Sequence, residues 1–150
     1  MQIKTRLFSL ITITLLVFLS PQLAHADHLS ISGGLIHLNS PNSTTFEIGG
    51  EYEYSLNAFF GVGAQANYIF SNPSVTIIGV PEGFVHPIAT DWYISASPIF
   101  EFASGYKTQV GARFGTRVPL PIGILTLIPS VAVDFIGGGT NYIFGFGISI

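Results

Sequence analysis

Cysteine is absent from the 150-residue chain, which excludes disulfide scaffolds, thiolate zinc sites and thiol catalysis. Charge is scarce as well. Asp, Glu, Lys and Arg together make up 9% of residues, against about 25% in ordinary soluble domains. With 48% hydrophobic residues, this is the reverse of a disordered composition, which is polar and highly charged. Positive charge is the rarest: five Lys and Arg stand against eight acids, for a net charge of −3. No basic stripe exists to neutralise phosphates, so nucleic-acid binding is excluded. A long unbroken apolar run is also missing beyond the first residues. The greasiest later stretch, 118–136, contains Pro119, Pro121 and Pro129 and carries Asp134. Three missing backbone donors are incompatible with a continuous helix there.

What the chain does have begins with an address. Lys4 and Arg6 precede an apolar stretch over 7–19, Pro21 ends it, and Ala24-His25-Ala26 forms a small-residue cleavage site. This is the pattern of a secretory leader, and the apolar stretch is too short to cross ~30 Å of hydrocarbon as a helix. We therefore expect residues 1–26 to be a cleaved signal peptide and 27–150 to form a single domain. Beyond residue 26 the only basic side chains are Lys107, Arg113 and Arg117, while all eight acids remain.

The domain is apolar by alternation, the period of a strand. Phe60, Val62, Ala64, Ala66, Tyr68 and Phe70 interleave with Gly61, Gly63, Gln65, Asn67 and Ile69. From Thr45, an apolar set (Phe46, Ile48, Tyr52, Tyr54) faces away from Glu47, Glu51 and Glu53. Val110, Ala112, Phe114 and Val118 interleave with Gln109, Arg113 and Arg117. Leu127, Pro129, Val131, Val133 and Phe135 oppose Ser130 and Asp134, and Tyr142, Phe144, Phe146, Ile148 and Ile150 close the chain against Asn141, Gly145, Gly147 and Ser149. Weaker segments cover 28–38 and 92–103, and 75–80 is a short apolar run without alternation. Gly, Pro, Asn and Ser clusters place turns at 39–43, 56–58, 71–74, 81–90, 104–106, 119–121 and 137–140.

The alternation can face two ways. A soluble barrel buries its apolar face, whereas a transmembrane barrel turns it to lipid. The polar face here is Gly, Ser, Thr, Gln and Asn with few charges, where a solvated sheet would carry many Lys and Glu. Tyr52, Tyr54, Trp92, Tyr93, Tyr106 and Tyr142 fall near strand ends, as an interfacial aromatic girdle requires. Strand lengths approach the ~9–11 residues of a tilted transmembrane strand. The apolar face therefore points outward.

On these residues, and above all on the terminal run Tyr142-Ile-Phe144-Gly-Phe146-Gly-Ile148-Ser-Ile150, the chain resembles small eight-stranded outer-membrane β-barrels of the OmpA/OmpX type. It departs from them in ending on Ile150 where members usually end in Phe or Trp. The resemblance implies an all-β, antiparallel up-and-down transmembrane barrel in the bacterial outer membrane, with even strand number and both termini on the periplasmic side. The run at 75–80 is then the eighth strand. It also implies lipids of that membrane as partners, recognition of the last strand by the assembly machinery, and a monomer. Pro98 and Pro129 must fall at bulges or strand ends, because a closed barrel has no edge to hide them.

A narrow barrel is filled by side chains. We expect Glu47, Glu51, Glu53, Glu101, Lys107, Arg113, Arg117 and Asp134 to form a lumen network, since buried charges need partners. The expected pairs are Glu51–Arg113 and Glu53–Arg117, with Lys107 near Asp134. The network reads as a plug, with envelope integrity or weak surface interaction as the role. The competing reading is an ion path along Glu47, Glu51, Glu101 and Arg113. We expect no enzyme activity, cofactor or metal. Gly61-x-Gly63-x-x-Ala66 lies within a strand rather than at a strand-to-helix turn, so it is not a dinucleotide site. His28, His37 and His86 lack metal-ligand spacing. Two alternatives remain: an acyl hydrolase acting on lipid A, with His86, Asp91, Ser95 and Ser97 as candidates and a His-x-Ser pattern near an acid met by His28-Leu29-Ser30, and a soluble lipocalin-like barrel holding an apolar ligand.

Overall fold

The computed structural model describes residues 25–39, 42–87 and 92–149. The expected leader lies outside the described residues except for its last two positions, His25 and Ala26, which belong to the first strand. Nine strands follow in order: β1 (His25–Asn39), β2 (Asn42–Ser55), β3 (Phe60–Ile69), β4 (Val75–Val85), β5 (Tyr93–Ala103), β6 (Gln109–Arg117), β7 (Leu120–Ile122), β8 (Leu125–Ile136) and β9 (Gly139–Ser149). No helix occurs among the described residues.

Each strand pairs antiparallel with its neighbour in sequence, and β1 pairs with β9, closing the ring. Both β6 and the three-residue β7 pair with β8. They form one wall position interrupted at Val118 and Pro119, so the barrel is eight-stranded. The Val118 amide bridges the interruption by donating to the Pro129 carbonyl at 3.2 Å.

The ring is staggered. Partners followed from Ser30 run through Glu51, Gln65, Gly79, Ile99, Gly111, Ile136 and Gly139. Tyr142, three residues past Gly139, pairs with His37, so one circuit arrives far along β1 rather than back at Ser30. This offset obliges the strands to tilt about the barrel axis.

The apolar set of every alternating strand faces outward. Ile31 is 65% exposed, Phe144 59% and Phe146 62%, while Glu51 is 5% exposed and Glu82 and Asp134 0%. The lipocalin-like alternative required the opposite. Outside, aromatic rings cluster: Tyr68 meets Phe70 edge-on at 5.0 Å, and Phe46 lies 5.9 Å from Phe70.

Two expectations about prolines need correction. The turn placed at 81–90 starts later, because β4 continues through Pro81 to Val85. Pro81 falls in a register irregularity between Gly79 and Gly83, where the ladder is already broken and its missing N–H costs no pairing. The turn placed at 119–121 lies instead at Gly123 and Ile124, where Gly123 adopts φ +64°, a conformation favouring glycine. Pro98 and Pro129 follow the rule. Pro98 sits across from the β4 irregularity, and Pro129 faces the gap between β6 and β7.

Candidate functional site: the lumen and its two mouths

The wall presents three levels of side chains to the interior. Nearest the termini, β2 supplies Glu51 and Glu53, β4 supplies Glu82, β5 supplies Tyr93 and β6 supplies Arg117. Arg117 Nη1 reaches across the lumen to Glu51 Oε1, and the Tyr93 hydroxyl donates to the same oxygen at 2.8 Å. The Arg117 guanidinium lies 6.0 Å from the Tyr93 ring. His86 Nε2 and Glu53 Oε1 are 2.8 Å apart, and the His86 ring stands 5.4 Å from Tyr93. A cavity of about 110 Å³ opens here between Ser30, Glu51, Glu53, His86 and Tyr93.

The middle level is built on Arg113, buried on β6. It sits directly across the ladder from Asp134 on β8, and the two make a fork: Nε to Oδ1 at 2.5 Å and Nη2 to Oδ2 at 2.7 Å. Nη1 crosses the lumen to Gln65 Oε1 at 2.9 Å, and Gln65 Nε2 donates to the Ser97 hydroxyl at 3.1 Å. Asn67 packs against Gln65 and Arg113. A guanidinium held bidentate by a carboxylate and capped by an amide has its donors well matched.

The far level is mainly apolar, although Glu47 pairs with Ile69 and Glu101 with Ile77 in the ladder. Ile36, Ile69, Ile77, Ile99, Ile136 and Ile143 pack as one buried cluster across the bore, with Leu38, Val75 and Ala132 around them. Beyond it the second mouth opens into a cavity of about 620 Å³.

The expected network is thus assembled differently. Arg113 takes Asp134 rather than Glu51, Arg117 takes Glu51 rather than Glu53, and Glu53 takes His86. The cause is the stagger: Arg113 lies directly opposite Asp134 in the β6–β8 ladder, closer than any residue across the bore. Lys107 is exposed in the β5–β6 loop, while both oxygens of Asp134 are engaged by Arg113. Glu47 is buried, and Glu101 is half-buried at the far mouth.

Sequence reasoning placed Glu82 and His86 in a turn and Tyr93 in a girdle, and so missed three members of the inner level. Parity held the signal for Tyr93, which is in phase with the inward Ser95 and Ser97. Glu82 is hidden by the irregularity after Gly79, which shifts the phase of the rest of β4. One oxygen each of Glu47 and Glu51, and both oxygens of Glu82, are buried without a hydrogen-bond partner among the described residues. Small residues make room for this crowd. A Cβ on Gly61 would strike the Glu53 carboxylate, and one on Gly79 would meet Gln65 and Ser97.

The hydrolase candidates divide: His28, Ser30 and His86 line the inner cavity with Glu51 and Glu53, and Ser95 is buried on β5. Ser97 is bonded to Gln65 at the middle level, His86 stands with Glu53 near the termini, and Asp91 lies outside the described residues. Among the described residues no cluster of three or more His, Cys, Asp or Glu has the arrangement of a metal site.

No protein-family model matches the chain, and no curated protein matches it in sequence. Solved structures do match in shape. Neisserial surface protein A (NspA) superposes with a TM-score of 0.67 at 13% identity, over 85% of this chain and 97% of that one. The N-terminal β-barrel domain of Pseudomonas aeruginosa OprF gives 0.60 at 12% identity, over 81% of this chain and 95% of its own. A de novo designed transmembrane β-barrel gives 0.56 at 14% identity, over 85% of this chain and 100% of that one. At such identities the likeness concerns the fold. The chain has the closed eight-stranded antiparallel fold of small outer-membrane barrels.

Proposed function

We propose that the protein is a structural barrel of the bacterial outer membrane, monomeric and without catalytic activity, whose lumen is sealed. The observation that carries this reading is the inversion of the wall. Large apolar side chains cover the outside while Arg113, Asp134, Glu51, Glu53 and Glu82 are buried within. Such an exterior is unfavourable in water and favourable against acyl chains. The seal has two parts, the Arg113–Asp134–Gln65 bridge and the isoleucine cluster. Water and ions meet an apolar constriction there, and a charge gains no solvation in crossing it. The alternating last strand is what the assembly machinery would read, and the surrounding lipids are the main partner. The role that fits a sealed wall with short loops is envelope integrity or weak surface interaction.

Membrane fractionation together with gel mobility before and after boiling tests the placement. A folded barrel recovered with outer membranes, shifting on boiling, is expected; a detergent-free soluble protein would overturn it. Planar-bilayer recordings test the seal. Silence is expected, whereas steady conductance that disappears in Glu51→Gln would establish the ion-path reading instead.

A further inference from the structure

We propose that the mouth remote from the termini is a binding site for a small amphipathic molecule carrying a protonated amine, with Glu101 as its anionic partner. The inference does not depend on which membrane holds the barrel. The cavity is about 620 Å³, within the roughly 300–1,000 Å³ of small-molecule sites. Its floor is apolar, since Ile69 and Ile136 belong to the isoleucine cluster and Val75 packs against it. Its upper wall is neutral and polar, with Asn72 and Gln109 among the lining side chains.

Glu101 is the single charged side chain among the described residues that line the cavity. It is half-buried and has no hydrogen bond or ion pair among the described residues. The charge that acts on it most is Asp134, of the same sign. Arg113, which could have answered Glu101, is occupied by Asp134 and Gln65. Lys107, in the adjoining loop, is exposed and does not line the cavity. The mouth therefore combines a carboxylate lacking a cation with a greasy floor beneath it. An anion would be repelled. A neutral polyol would answer the hydroxyl and amide wall but leave both the carboxylate and the floor unmatched. An ammonium group on a short hydrocarbon chain answers both, because charge-assisted hydrogen bonds are the stronger kind and the chain leaves water.

The test uses the protein in phosphatidylcholine nanodiscs, with folding verified by the boiling shift and isoleucine δ1-methyl groups labelled for NMR. Butylammonium is the probe and n-butanol the uncharged control. Saturable shifts are expected at Ile69 and Ile136, and none at Ile128, which lies at the opposite mouth. Glu101→Gln should weaken butylammonium binding about tenfold and leave butanol unchanged, as loss of one charged hydrogen bond implies. Ala103→Trp, which places an indole in the cavity, should weaken the shifts. Equal affinity for amine and alcohol, an unaltered response in Glu101→Gln, or equal shifts at Ile128 would each overturn the proposal.

Discussion

The two ends of the lumen are filled by opposite chemistry. Near the termini the bore holds Glu51, Glu53, His86, Tyr93 and Arg117 in a web of ion pairs and hydrogen bonds, with Glu82 buried on the same level, beside a cavity of about 110 Å³. At the far end it holds six isoleucines beneath a cavity of about 620 Å³. The contrast separates two ways of closing a narrow barrel. Ion pairs fix the position of each strand because each charge must find a particular partner. Isoleucines exclude water without naming partners, so a neighbour can be exchanged at the cost of packing alone.

Breaking the middle bridge should have the largest effect. Asp134→Leu strands the Arg113 guanidinium in the interior, and removing one member of a buried pair costs about 3–5 kcal/mol. The urea midpoint of unfolding from lipid should fall accordingly. The double change Asp134→Leu with Arg113→Met should recover most of the loss, because no charge is left without a partner; failure to recover would show that the bridge does more than neutralise. Next comes the apolar seal. Ile99→Ala removes a fully buried side chain and should cost about 2–4 kcal/mol by loss of packing, with the same denaturation as readout. If both halves close the bore independently, conductance should stay absent in this variant. Glu53→Gln, at the partly open inner mouth, should cost about 1 kcal/mol as one hydrogen-bonded pair weakens. Lys107→Ala, at an exposed loop position, should change stability by less than about 0.5 kcal/mol. A large loss there would show that Lys107 has a structural partner after all.

Much of the wall was legible because a strand repeats every two residues. Once Phe144 and Phe146 point outward, Ile143 and Gly145 must point inward, and the same parity places Arg113, Arg117 and Asp134 in the bore. Partner choice was not legible. It depends on how far each strand is displaced along its neighbour, and that offset is a property of the closed ring rather than of any one strand. Arg113 was therefore matched with a residue at similar depth, Glu51, when the ladder had set Asp134 beside it. Prolines misled for a related reason. Pro81 and Pro119 carry the usual sign of a turn, but a bulge or an interrupted strand tolerates the same missing donor. The apolar half of the bore went unnoticed because Ile36, Ile69 and Ile143 add no contrast to their outward neighbours.

The seam between β1 and β9 joins Ser30 to Ser149 and Ile31 to Ile148, residues of the first and last strands of the ring. No earlier hairpin can substitute for it, so the wall remains an open sheet with two bare edges until β9 has been threaded back to β1. Contacts so distant along the chain make assembly slow, and the unsealed intermediate is prone to edge-to-edge association. Deleting a few of the β9 residues that pair with β1 should therefore do more harm than an equal deletion from any hairpin loop.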